Sequence, residues 1–353
     1  MGRTQRCALL GAVVAAASVA VAAAGRRPHH LRPATPPHWL EEHATAHAAA
    51  RVARGWGKQS GAAAPSVDPA PSSGPADDRF VAVTLSPNGS CVYWGAVQEG
   101  TVAVASYTNW VNVTGWGVLT VSVARSGVRP ADAAFAAGCA EAAVTYAEMW
   151  AYWSNYGAAE YGPAGPSPAL QTFMTDQLAW VRSQVAAAAA RGVGTPVRGA
   201  PAADIFWGGM ALALAQFDGL AYTFSAAAGV VPAAYAMNEL ALHMLNSVGD
   251  LEDLDRLYPN TGPVGYRRSP TGFDPIPVSE KLTDCSAFIT ITGDGRDVVA
   301  GHTTWRSYYA MLRIYKVYFL PYTAAGVVSF SSSPGLLHSK VRRLVVFCSG
   351  CHY

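Results

Sequence analysis

Apolar and polar positions change rhythm several times along the chain, and each rhythm predicts an element. Phe80–Leu85, the Pro87-Asn88-Gly89 turn and Cys91–Trp94 together predict a β-hairpin. Two further strand-like stretches, Thr101–Trp110 and Gly117–Val123, follow it. The period then lengthens. Pro130–Tyr156 predicts a helix with Phe135, Cys139, Ala142 and Ala143 on one face. Ala169–Arg191, Ile205–Phe224 and Ala233–Ser247 predict three more. Ile205–Phe224 is apolar enough to resemble a membrane span, yet Gln216 and Asp218 sit inside it. A charge near mid-membrane costs about 2.5–3.5 kcal/mol, so a core helix is expected.

Between Tyr258 and Glu280 the pattern dissolves into Pro, Gly, Asn and Ser, as in an exposed and cleavable loop. Alternation resumes over Ser286–Thr292, turns at Gly293-Asp294-Gly295 and returns from Val298. Antiparallel pairing about that turn sets Cys285 opposite Thr304, to within a residue or two, with His302 and Trp305 flanking the point. Tyr308, Met311, Leu312 and Tyr315 then recur at helical spacing, which predicts a helix over Ser307–Tyr318. By itself a cysteine at a strand start reads first as a small buried apolar side chain.

The two ends look different. Arg3 and Arg6, the apolar run Cys7–Ala24 and the small residues before Gly25 describe a secretory signal peptide over residues 1–24. The run falls close to spanning length, so an uncleaved anchor is the alternative. Both lead into the secretory route, toward the lysosomal lumen or the cell exterior. The sequons at Asn88 and Asn112 fit that route as glycosylation sites. Residues 25–79 are Ala-, Pro-, Ser- and Arg-rich and read as a low-complexity leader.

Composition narrows the class. Hydrophobic residues make up 51% and charged residues 14%, which builds a core and excludes a disordered chain. A net charge of +2, without a basic block among aromatics, excludes a nucleic-acid partner. Beyond Cys7, the cysteines at 91, 139, 285, 348 and 351 are odd in number, so one thiol stays free in an oxidising compartment. Cys348-Ser349-Gly350-Cys351-His352 matches a haem-attachment pattern, but nothing follows it to enclose a haem. No cofactor or metal is expected; zinc needs more ligands than His338 supplies. No G-x-S-x-G elbow and no Gly-rich phosphate loop is present.

One region is more specific. Asp284-Cys285-Ser286-Ala287-Phe288-Ile289, then Ala300-Gly301-His302-Thr303-Thr304-Trp305-Arg306-Ser307-Tyr308 and Met311-Leu312-Arg313, resembles the nucleophile region of phospholipase B-like proteins. Weaker echoes are Asn112-Val113-Thr114-Gly115-Trp116, Gln216-Phe217-Asp218-Gly219-Leu220, Leu245-Asn246 with Gly249-Asp250-Leu251, and Pro334-Gly335-Leu336-Leu337. The likeness spans about 80–339.

That resemblance implies an α+β fold, the four-layer αββα sandwich of N-terminal-nucleophile hydrolases. It implies cleavage of the Asp284–Cys285 bond, Cys285 as nucleophile, and His302 and Trp305 lining the pocket. The chain would divide into an N-terminal fragment over 80–284 and the start of a nucleophile fragment over 285–339, hairpin plus helix. Substrates implied are acyl esters of glycerophospholipids, met through transient contact with a lipid surface. The alternatives are an amidase of the same superfamily acting on N-acyl substrates and a non-catalytic secreted protein.

Two departures matter. Gly138-Cys139-Ala140-Glu141-Ala142 differs from the family's Gly-x-x-Glu-Gly pattern. Family members also continue past Pro334-Gly335-Leu336-Leu337 to an asparagine and an arginine of the active site. Here residues 340–353 read as an aberrant tail, so the sandwich is expected to be incomplete.

Overall fold

Short side chains let a helix lie close against its neighbours, and that property sets the architecture. The computed structural model describes residues 77–123, 127–195, 199–226, 229–258, 285–296, 298–304, 308–323, 326–339 and 344–348. Strands β1 (Asp77–Leu85), β2 (Cys91–Trp94), β3 (Ala103–Trp110) and β4 (Trp116–Val123) come first. Helices α1 (Pro130–Glu160), α2 (Pro168–Ala190), α3 (Ala202–Ser225), α4 (Glu239–Asn246) and α5 (Val248–Leu257) follow. Strands β5 (Cys285–Ile291), β6 (Val298–Thr304), β7 (Ile314–Leu320), β8 (Gly326–Ser332) and β9 (Leu344–Cys348) complete the order.

Seven strands form one sheet, ordered β2-β1-β3-β4-β7-β8-β9, antiparallel except for the parallel β4–β7 pair. The fold is α+β. Leu119 and Val121 of β4, Ala105 and Tyr107 of β3, and Ile314 and Tyr318 of β7 are buried on one face, against α1. There α1 offers Ala133, Ala136, Ala137, Ala140 and Ala143. Its other side enters a second core with α3, α4 and α5, built from Met149, Tyr152, Leu220, Leu242 and Leu245. A helix buried on both sides must be apolar all round, and α1 nearly is. Each fully buried Leu here contributes about 1.5–3 kcal/mol.

Glycines set the α1–α3 approach. A Cβ on Gly138 would stand 1.9 Å from the Gln216 carbonyl oxygen, and one on Gly219 would stand 2.0 Å from that of Phe135. The helices therefore meet backbone to backbone, which only glycine permits. Next to Gly138, Cys139 forms a disulfide with Cys91 and staples edge strand β2 to α1. Asp218, the charge inside the apolar α3, pairs with Arg182 of α2 at 2.7 Å. Among the described residues no helix is long and apolar enough to cross a membrane.

Two expectations need correction. The predicted helix over Ser307–Tyr318 does not form. Tyr308–Ala310 is a single 3-10 turn, and Ile314–Leu320 is the interior strand β7. Tyr308 and Met311, which suggested a buried helical stripe, are exposed, whereas Ile314, Lys316, Val317, Tyr318 and Leu320 are buried. The helix predicted over Ala233–Ser247 also divides. Ala233–Tyr235 is a 3-10 turn, and Asn238 caps α4 by accepting from Ala241 N at 2.8 Å. A second helix, α5, then continues from Val248.

The β5–β6 hairpin forms a two-stranded sheet of its own. Within 340–353, Leu344–Cys348 lies antiparallel to β8 and extends the larger sheet. Residues 1–76, where a signal peptide and most of a leader were expected, lie outside the described residues, as do residues 259–284, where a loop was expected.

Candidate active site

The turn chemistry of Thr292–Arg296 sets the hairpin. Gly295 adopts φ 68°, Gly295 N donates to Thr292 O at 2.8 Å, and Arg296 N donates to Asp294 Oδ1 at 3.2 Å. From that turn the ladder counts back to Cys285 opposite Thr304, Ala287 opposite His302 and Ile289 opposite Ala300. Cross-strand partners share a face, as do residues two apart on a strand. Cys285 and His302 therefore stand at diagonal positions on one face, next to each other at the root of the hairpin. The sequence placed this pairing correctly. Asp284 and Trp305 lie outside the described residues, so the register joins Cys285 to His302 but not to Trp305.

On the hairpin's far stretch Phe288, Ile289, Ile291 and Val299 are exposed. They belong to both faces, since Phe288 and Ile289 are consecutive. Among the described side chains, apolar residues on both faces of this hairpin are open.

Some of the weaker echoes in the sequence are tied to segments beyond Cys285. Arg313 stacks over the Trp116 ring at 4.9 Å, where Trp110–Gly115 turns into β4. Asn246, ending α4, donates to Gly335 O at 3.0 Å and accepts from Leu337 N at 2.9 Å. His338 Nε2 stands 3.0 Å from Asn246 O. The amide side chain thus clasps the Pro334–Leu337 segment onto the helices with a two-sided bond. Each clasp joins a residue before Cys285 to one after it.

A third such tie escaped the sequence reading. Lys316 of β7 and Glu141 of α1 are both wholly buried and paired at 2.6 Å. Lys316 Nζ also donates to Leu336 O at 2.8 Å, and the Tyr318 hydroxyl donates to Glu141 Oε2 at 2.6 Å. Burial pulls the Lys316 ammonium below its ordinary range, against the opposing pull of Glu141. Burial, then the Glu141 charge, pushes the Tyr318 phenol well above its own. In the sequence Glu141 stood out only as the glutamate of a pattern that departs from the family's. Its partner lies 175 residues away, beyond the reach of local periodicity.

His243 of α4 is buried edge-on to Phe217, and its Nε2 makes no hydrogen bond among the described residues. Burial, with a smaller push from the Arg182 charge, lowers its pKa to about 4. Among the described residues no cluster of three His, Cys, Asp or Glu could hold a metal ion. Both sequon asparagines are exposed: Asn88 in the β1–β2 turn, where its Oδ1 accepts from Ser86 Oγ, and Asn112 in the helical turn before β4.

A family model described as Phospholipase B matches residues 103–341, well over half of the chain. Phospholipase B-like protein G of Dictyostelium discoideum is 32% identical over 258 residues, covering 68% of this chain and 40% of the relative. Phospholipase B-like protein A of the same organism is 28% identical over 276 residues, covering 74% and 46%. Phospholipase B-like 1 of Homo sapiens is 28% identical over 245 residues, covering 67% and 40%. The chain thus spans under half the length of these relatives. The matched region contains the hairpin, its turn and every clasp described above, and on that ground the chain belongs to the phospholipase B family.

Proposed function

We propose that this chain carries the nucleophile region of an acyl hydrolase, with Cys285 freed as an N-terminal nucleophile by cleavage of the Asp284–Cys285 bond. The observation that carries the reading is the register: Cys285 opens β5, and His302 occupies the adjacent diagonal position on its face. Scission just before a strand leaves the new terminus at the edge of an ordered element, where its amine and thiol sit together.

The chemistry balances with the chain's own groups and water. The Cys285 thiol attacks the Asp284 carbonyl carbon, the C–N bond breaks, and the departing nitrogen takes the proton. Water hydrolyses the resulting thioester, leaving the Asp284 carboxylate and a free Cys285 thiol and α-amine. An α-amine with an unperturbed pKa of about 7.7–8.0 is a suitable base for its own thiol. The thiolate then attacks an acyl ester carbonyl, and the alcohol leaves with the proton held by the amine. Water releases the fatty acid from the second thioester. His302 and Trp305 are assigned to substrate positioning or to the oxyanion side.

The family supports glycerophospholipid esters as the substrate class, reached at a lipid surface. The finer fold reading is the four-layer αββα sandwich. The sheet face turned away from α1, with Ala82, Val104, Thr120 and Val317, is apolar or hydroxylated and suited to a second sheet. Entry into the secretory route, with glycans on Asn88 and Asn112, completes the reading.

The test is release of fatty acid from a short-chain phosphatidylcholine by the full chain and by Cys285→Ala. Release by the first alone supports the proposal, and equal release by both removes the nucleophile. Replacing the ester by the matching N-acyl amide separates the amidase alternative.

A further inference from the structure

We infer that Glu160 and Tyr309 are positioning residues, a latch that orients the Cys285 hairpin against the helical body; this rests on the reading of Cys285 as a self-released nucleophile. Glu160 is the last residue of α1, and Tyr309 lies in the 3-10 turn Tyr308–Ala310. The Tyr309 hydroxyl donates to Glu160 Oε1. The Tyr309 ring also meets the buried Tyr156 ring edge-on, with centroids 5.7 Å apart at 78°. Ala310, the next residue, is buried in the helical core. Among the described residues after the hairpin, Tyr309 and Ala310 are thus anchored on the helical body.

The chain entering the same stretch is seated nearby. The Tyr258 carbonyl accepts from Ser167 Oγ at 2.8 Å, and its ring stacks on Phe173 at 4.8 Å. Tyr161, the residue after Glu160, packs edge-on to Tyr156 and donates to Asp255 Oδ2 at 3.2 Å. Both ends of the stretch between Tyr258 and Tyr309 therefore rest on the α1–α2 junction.

Cleavage makes the two ends unequal. Once the bond before Cys285 is cut, the hairpin keeps one covalent route to the body, from Thr304 to Tyr308. The register sets Cys285 opposite Thr304, at the root and not the tip. What holds Tyr309 therefore helps to set the orientation of the nucleophile. Ring packing on Tyr156 limits where Tyr309 sits. The phenol-to-carboxylate bond adds direction, because a charged acceptor strengthens and aligns a hydrogen bond. That bond also runs between the two pieces that cleavage produces.

The experiment compares the full chain with Tyr309→Phe, Glu160→Gln, Glu160→Ala and Cys285→Ala. It follows the rate of Asp284–Cys285 cleavage by intact mass, kcat and KM for a short-chain phosphatidylcholine, and Tm. Small misplacements at a reacting centre cost rate steeply, so Tyr309→Phe and Glu160→Ala should slow cleavage and lower kcat about tenfold, with KM little changed. Glu160→Gln keeps a carbonyl acceptor and should recover most of the rate. Wild-type cleavage in Tyr309→Phe overturns the latch, as does a Gln variant no better than Ala, or losses that only track Tm. Cleavage of the wild type but not of Cys285→Ala, alongside a wild-type-like Tyr309→Phe, removes the latch and leaves the nucleophile standing. A folded wild type that never cleaves removes both.

Discussion

The helix–sheet body and the β5–β6 hairpin are built on opposite terms. In the body, α1 is buried on two sides, two glycines bring helix backbones into contact, and a disulfide and a buried ion pair join distant segments. In the hairpin, Phe288, Ile289 and Ile291 remain 58%, 72% and 66% exposed. The difference separates stability from chemistry. Among the described residues the body supplies the burial that offsets chain entropy, while the hairpin carries the cysteine and histidine positions on a turn-defined register. Substitutions should therefore fall into two classes, costly and chemically silent in the body, cheap and chemically loud in the hairpin.

The largest expected effect is at the buried pair. Lys316→Met leaves Glu141 charged and partly unpaired inside the core, and should lower stability by about 3–5 kcal/mol in denaturant unfolding. Lys316→Met with Glu141→Leu removes both charges and should recover much of that loss. A double variant as unstable as the single one would show that packing, not charge, sets the cost.

A smaller and pH-dependent effect is expected at His243. Its folded pKa of about 4 lies below the unfolded value of 6.5, so the unfolded chain binds more protons between the two. Stability is then full above pH 6.5 and falls as pH drops toward 4, by about 3 kcal/mol for this group. His243→Phe should flatten the acid limb of an unfolding-midpoint profile, and an unchanged limb would reassign that loss to other groups.

The smallest effect is expected on the hairpin. Ile289→Thr should change stability by within about 0.5 kcal/mol, because an exposed side chain leaves little burial to lose. Destabilisation of several kcal/mol in thermal unfolding would mean that this face is covered in solution, and would erase the contrast drawn above.

The same contrast explains what could be read from the sequence. The hairpin was legible because its register follows from local turn chemistry at Gly293-Asp294-Gly295, with no distant partner needed. Strands β1–β4 and helices α1–α3 were legible because each repeats one period over many residues. Strand β7 was not. Its inward positions run Ile314, Lys316, Tyr318 and Leu320, and a lysine in that series breaks the apolar alternation a reader looks for. Lys316 is tolerated there only because Glu141 neutralises it from another element. Meanwhile Tyr308, Met311 and Tyr315 imitated a helical stripe by accident of spacing. For the site, Cys285 and His302 were legible as neighbours, whereas the ties at Glu141, Asn246 and Tyr309 depend on contacts formed only after the helical layer closes.

The central claim is that Cys285 becomes a chain terminus through its own side chain. Incubating the purified full chain at mildly acidic pH, followed by intact-mass measurement and N-terminal sequencing, tests this directly. The account predicts a new fragment beginning Cys-Ser-Ala-Phe in the wild type and none in Cys285→Ala. An unbroken wild-type chain, or the same fragment from both proteins, would contradict it.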